Sequence, residues 1–542
     1  MSLKKRALLI TAILASGTVT LGAQAGQHDQ HGAMPPDRIG SASVNFKTSC
    51  SAAVKDDFNR GVALLHSFWF PEARNVFQAV VAKEPTCAMA HWGIGLSYWG
   101  NPFGGIRTTQ LIESGNAAIA KGVTASNVTP RERDLIGAVA GLFSSPDPAT
   151  QRARVVAYEK AMESLAKANP DDTELRIFWA LAITQTALPT DKTYAQNLRA
   201  TAILEPLFKK MPAHPGIAHY IIHAYDVPAL APKALAAARS YASLAPAVPH
   251  ALHMPSHTFT RVGSWQESID TNLASADTAR KANSSGDELH ALDYQTYAYL
   301  QIAQDQKAWG AIERARQVVS SGEGASAGAA GAGSFAMAAM PARYALERRA
   351  WAEAAQLPVL PASTPFTKAM THFARAIGLA RSGNPAAVSA ELTALATLRD
   401  QMIAAKDPYW PEQIDIQRRV AEAWMQFAQG QQNAAIVLLS AAAGAEDATD
   451  KSAISPGPLA PARELLGYML FEAGDTQDAL AAFEAVMKKE PNRFLAIYGA
   501  GQAAEKLRLT AKAKLYYGQL LAMTKDAPAG RPELAHARAF GK

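Results

Sequence analysis

Phe58-Asn59-Arg60-Gly61-Val62-Ala63-Leu64-Leu65, followed by Ala73, Phe77 and Pro85, is the stretch on which the fold turns. Its apolar residues recur at helical spacing, small residues stand where a second helix must approach closely, and the proline ends that second helix. The next unit opens at Cys87 and places Gly95 34 residues after Gly61. A period of that length reads as helix-turn-helix units, each burying its apolar face only against its neighbours. The same frame returns near the C-terminus with Gly467, Gly474, Ala479, Phe483 and Pro491, and Gly501 follows Gly467 by 34 residues.

Between these ends the frame is looser. Amphipathic segments at 130–142, 152–168, 173–188 and 194–210 read as divergent repeats, with longer loops at 101–106 and 144–149. On these residues the chain resembles the tetratricopeptide repeat family, in the form of an exported bacterial member, well over 49–105 and 456–524 and approximately between. The resemblance implies an all-α tetratricopeptide-type α-solenoid, in one run or in two stacked halves, with a concave groove that binds protein or peptide. It does not imply an enzyme. The expected divisions are a signal peptide at 1–25, a flexible leader at 26–48, a repeat pair at 49–105 and divergent repeats with a histidine-rich groove at 106–319. A Gly/Ala/Ser linker at 320–335 and further helical repeats at 336–542 complete the chain.

The chain has 542 residues, of which 49% are hydrophobic. Lys4, Lys5 and Arg6, an apolar run over 7–21 and Ala23-Gln24-Ala25 make a signal-peptide pattern, so the mature chain is expected to begin near Gly26 and to be periplasmic or secreted. No other stretch suggests a membrane span. The net charge of +6 falls to +3 without those three cations and forms no basic block, which argues against a nucleic-acid partner. In an oxidising compartment Cys50 and Cys87 are expected to pair. Cleavage after Ala25 would put His28 third from a free amine. Amine, two amides and imidazole then form a square-planar nitrogen set for Cu(II) or Ni(II), with His31 close behind as an accessory ligand. A disordered tail with chance histidines is the competing reading.

Seven of the thirteen histidines fall within 214–290. His219-x-x-x-His223 is followed 34 residues later by His253-x-x-x-His257, so the pattern repeats at the array period. In the repeat frame His219 and His253 take position five, His223 and His257 position nine, and Asp226 position twelve. The third unit carries His290, Asp293 and Tyr297 at positions two, five and nine once six extra residues, supplied by the polar stretch 281–287, are allowed. Residues three and four apart share a helix face, and in the resembled family this face lines the groove.

The candidate ligands are therefore His219, His223, Asp226, His253, His257, His290 and Asp293, bordered by His250, Arg261, Tyr297 and His66. Imidazoles with carboxylates suit a divalent transition metal, zinc, copper or iron. Pro255 lies inside His253-Met254-Pro255-Ser256-His257, where it either kinks one helix and re-aims His253, or starts a new helix. Three functions stay open: a groove that binds a metal or small ligand, a metal-free scaffold for protein partners, and a metal-dependent hydrolase or oxidase. No residue is singled out as catalytic.

Overall fold

The computed structural model describes residues 38–320, 327–361 and 363–540. Every regular element among them is a helix. The signal peptide and the leader histidines His28 and His31 lie outside the described residues. No described helix is long and apolar enough to cross a membrane.

Consecutive helices pack as antiparallel pairs, and the sequence shows why at both ends of the array. In the first unit, helices Lys55–His66 and Phe70–Lys83 are followed by Ala88–Trp99. The Phe77 ring wedges between Gly61 and Gly93: a Cβ on Gly61 would sit 2.7 Å from that ring, and one on Gly93 closer still. In the last units Phe483 plays the same part between Gly467 and Gly499, where added Cβ atoms would sit 2.7 and 2.5 Å away. Gly501 takes Tyr517 in the same way. Gly95 meets Ile119 instead, because the loop after Trp99 lengthens the connection and shifts the next helix, Thr109–Val123, along.

Local signals fix individual helices. Pro130–Leu142 opens on a capping box, the Thr129 hydroxyl accepting from the Glu132 amide and the Glu132 carboxylate accepting from the Thr129 amide. Cys50 and Cys87 form a disulfide with Cα atoms 5.0 Å apart, tying the segment before the first helix to the start of the third.

Two expectations change. Residues 38–48 are not the end of a flexible leader: Ile39, Val44 and Phe46 are buried, and Phe46 packs against Phe58, Trp92 and Phe178. An aromatic anchor outweighs the polar residues around it. From residue 327 the Gly/Ala/Ser linker is helix, the start of Ala327–Glu347. Alanine favours helix, and Ala327–Glu347 lies against helix Ser285–Gln301.

The core divides as two stacked halves would. One cluster runs from Ile39 to Ala282 and another from Ala303 to Ala537, with smaller clusters between them. Polar contacts join the halves. Trp265 donates to the Asn492 carbonyl at 2.8 Å, and the Asn492 side-chain amide donates to the Gly263 carbonyl at 3.1 Å. The segment after helix Gln432–Asp447 returns across the N-terminal half, bringing Lys451 to Asp226 at 3.1 Å.

Candidate metal centre

Four short stretches carry the histidines. Pro215 opens helix Pro215–Ala224 with His219 and His223 one turn apart, and Pro249 opens Pro249–His253 with His250 and His253. The helical path breaks at Met254 and resumes as Pro255–Arg261, which carries His257. Met254 keeps helical angles, φ −53 and ψ −37, so Pro255 kinks a continuing path, and His250 and His253 lie in a helix rather than a loop. His290 comes from Ser285–Gln301. The extra length before it is taken up mainly by helix, since the preceding helix runs on to Lys281.

These residues gather into two sets of three. One ring nitrogen from each of His219, His223 and His250 lies within 4.8 Å of the others, and the same holds for His253, His257 and His290. The sets adjoin: ring centroids of His223 and His257 are 5.9 Å apart, and those of His250 and His253 6.1 Å apart. Four of the rings are buried and two, His250 and His290, partly so. The array is thus enclosed rather than spread along an open groove. Phe68 and Phe103 cover the first set, with centroids 4.4 Å from His219 and 4.3 Å from His223. Tyr294 stands over the second, 4.7 Å from His253, and donates to the Ser455 carbonyl at 3.1 Å.

Hydrogen bonds set the tautomers. His219 Nδ1 donates to the His66 carbonyl at 2.6 Å. His257 Nδ1 donates to Asp226 at 2.8 Å, and His253 Nδ1 to the Asn272 amide oxygen at 2.7 Å. Asn272 is itself oriented by its donation to the Ser268 carbonyl at 2.7 Å. Each of these rings then presents a lone pair at Nε2. His219 Nε2, His223 Nε2 and His250 Nε2 are buried with no hydrogen-bond partner. His253 Nε2 and His257 Nε2 face each other at 3.1 Å.

Burial first, and the neighbouring imidazoles second, push His219, His223, His250, His253 and His290 well below the usual histidine value. His257 is lowered by burial against the opposing pull of Asp226. Neutral imidazole is the form that binds metal.

The carboxylates of the sequence frame fall elsewhere. Asp226 joins neither set: it receives His257, Arg261 at 2.8 Å and Lys451 at 3.1 Å. Burial works to raise it, but Lys451, Arg261 and His257 outweigh burial and hold it well below the carboxylate range. Asp293 faces Arg343 at 3.6 Å, and burial raises it to about 6. The register explains this. His290 and Tyr294 share the face toward the array, whereas Asp293 and Tyr297 share the next face toward Arg343, whose guanidinium lies 5.0 Å from the Tyr297 ring. Tyr297 also accepts from Arg493 at 3.0 Å, in a buried network with Glu464 and Glu347.

His66, read from the sequence as a bordering residue, lies directly beneath the first set, because the first helix packs on Pro215–Ala224. It forms a triad with Glu174 at 2.9 Å, which also binds His214 at 3.1 Å, and its other nitrogen meets Tyr220 at 2.9 Å, while His214 Nδ1 has no partner. Gly216 is required here, since a Cβ would collide with the His66 ring. Glu174, Asn272 and Lys451 escaped the sequence reading. Lys451 comes from 225 residues beyond Asp226, and no local pattern marks it. Asn272, one helix after His253, would have been found by asking which side chain accepts from the ring's second nitrogen. An open cleft is lined among others by Asp226's partners Arg261 and Lys451 and by Tyr409, Gln413 and Glu490.

Fold and site together define an all-helical array of packed helix pairs with a buried histidine cluster. No family model matches the chain, and no curated protein does so. Among solved structures it is similar to a monomeric mutant of IFIT1 with Gppp-AAAA, at 10% identity and a TM-score of 0.31, over 80% of this chain and 90% of that one. It is also similar to Naa15/Naa10 bound to HypK-THB, at 12% identity and a TM-score of 0.23, over 90% of this chain and 77% of that one.

Proposed function

We propose that this chain is an exported metal-binding solenoid that holds transition-metal ions of the zinc, copper and iron class in its two three-imidazole sets. The carrying observation is the convergence of lone pairs. In the first set, whose ring nitrogens gather within 4.8 Å of one another, three Nε2 atoms are buried without partners, and in the second two Nε2 atoms face each other. Buried polar atoms ordinarily find a partner, and two facing lone pairs repel unless a cation lies between them. Nitrogens bound at about 2.0–2.1 Å to one tetrahedral ion stand roughly 3.3 Å apart, close to the 3.1 Å found. The outer contacts fit as well. Ligating histidines usually donate their second nitrogen to a carboxylate or carbonyl, as His257, His253 and His219 do here. The Cys50–Cys87 disulfide supports export.

The test is elemental analysis of the chain purified from its own compartment, beside His219→Ala/His253→Ala. Stoichiometric metal in the wild type, lost in the double variant, is the expected result. Metal at background in both would end the reading and leave a helical scaffold.

A further inference from the structure

The boundary between the two sets falls within the range of spacings inside them. Across it, His223 and His257 are 5.9 Å apart and His250 and His253 6.1 Å, while ring centroids within the sets lie between 4.3 Å, for His253 and His290, and 6.4 Å, for His257 and His290. Six rings form one continuous array, so ions held by each set are close neighbours.

Charge then discriminates among ions. All six donors are neutral imidazoles. Asp226, the carboxylate bonded to the array, is already outnumbered by Arg261 and Lys451. Glu174 is bound by His66 and His214, and Asp293 faces Arg343. Two divalent ions would bring four positive charges into buried sets that contain no carboxylate, and uncompensated buried charge is strongly unfavourable. Two cuprous ions bring half as much, and imidazole suits copper.

We propose that the six imidazoles form one dinuclear copper centre that takes dioxygen as a bridging ligand, an inference that rests on the metal-binding reading above. Each Cu(I) gives up one electron. Dioxygen accepts both, its O=O bond is reduced to the single bond of peroxide, and the dianion bridges two Cu(II) ions. The total charge is unchanged and no proton is consumed, so the buried site meets no new electrostatic demand. Phe68, Phe103, Tyr241 and Tyr294, packed against the imidazoles, give a neutral diatomic an apolar surround.

The full chain is titrated with Cu(I) without air, in competition with a chromophoric cuprous chelator, and then exposed to dioxygen. The expected result is two copper ions per chain, one dioxygen taken up per two coppers, and an oxidised form silent in electron paramagnetic resonance because the two spins couple. One copper per chain, or two giving the full signal of separate Cu(II) ions, overturns the dinuclear centre and leaves metal binding standing. Zinc binding with no copper bound overturns the copper assignment alone, and no metal bound overturns both readings. His290→Asn and His223→Asn, each removing one ring from one set, are expected to lower the count to one and abolish dioxygen uptake, with metal-free melting curves confirming the fold. Uptake at wild-type stoichiometry in either variant overturns the proposal independently of the spectra.

Discussion

Two buried histidine groups lie one above the other in the N-terminal half, and they are built on opposite principles. In the lower group, Glu174 binds His66 and His214, and the second nitrogen of His66 meets Tyr220. In the upper group six imidazoles crowd together, with unpartnered or mutually facing nitrogens and no carboxylate in the ring-to-ring contacts. Both contain histidine and both are buried, so neither residue type nor burial separates a structural cluster from a ligand site. What separates them is convergence: in the lower group a carboxylate takes up both rings and only His214 Nδ1 lacks a partner, whereas in the upper group several unpartnered or facing ring nitrogens gather together.

The sharpest way to break this comparison is to remove rings from the upper group. His219→Ala/His253→Ala is expected to lose bound metal altogether, and with it the metal-dependent rise in thermal stability, which amounts to about 4 kcal/mol at a thousandfold excess over Kd. Calorimetric melting with and without added metal reads both. A wild-type melting temperature unmoved by every first-row metal ion would place the upper group with the lower one.

Glu174→Ala attacks the lower group, and here the expected loss is of fold rather than of ligand. Removing the acceptor leaves a buried ring N–H on each of His66 and His214 unsatisfied, at about 1–3 kcal/mol each, and denaturant unfolding of the metal-free chain measures it. Metal stoichiometry at saturation is expected to stay as in the wild type. A Glu174→Ala chain of wild-type stability would mean that the triad is not the structural member of the pair.

How far the two groups were legible in the sequence follows from the distance over which each is encoded. The glycines at a 34-residue spacing and the phenylalanines that wedge between them mark the solenoid, because the same packing contact recurs in neighbouring units. His219, His223, His253 and His257 were legible for the same reason: one helix face, repeated at the array period. Asp293 was misplaced by a single helical step, since residues 290 and 294, not 290 and 293, share the face toward the array. Glu174, 40 residues before His214, and Lys451, 225 beyond Asp226, leave no periodic trace. Glu174 arrives because its helix, Thr173–Gln185, packs beside Pro215–Ala224, and Lys451 because the segment after Gln432–Asp447 returns across the N-terminal half.

Asp293 gives a third and smaller effect, visible in pH. Its folded value of about 6 lies above the ordinary 3.8, chiefly through burial. A raised carboxyl binds its proton more tightly in the folded chain, so its contribution to stability is complete below about pH 4 and is lost as pH rises through 6. The loss approaches about 3 kcal/mol at 1.36 kcal/mol per unit. Asp293→Asn removes that slope. The difference in unfolding free energy between wild type and variant, followed from pH 4 to 8, is expected to shift in favour of the variant. A pH-independent difference would show that Arg343 keeps the carboxylate ionised throughout.

The finest distinction lies inside the upper group, between rings held by a charged partner and one held by a neutral partner. His257 is oriented by Asp226, which is locked in turn by Arg261 and Lys451, whereas His253 depends on the Asn272 amide. Asp226→Asn would leave two buried cations poorly paired and so confound orientation with stability. Asn272→Ala does not: it removes one acceptor and leaves His253 free to change tautomer or rotate. Loss of such an outer partner lowers metal affinity by about 10–100-fold. Because Asn272 touches only the second set, one of the two binding steps in a metal titration is expected to weaken by that factor while the other keeps its wild-type affinity. If both steps weakened together, the two sets would be energetically one site, and the line drawn between them would mark chain connectivity rather than chemistry.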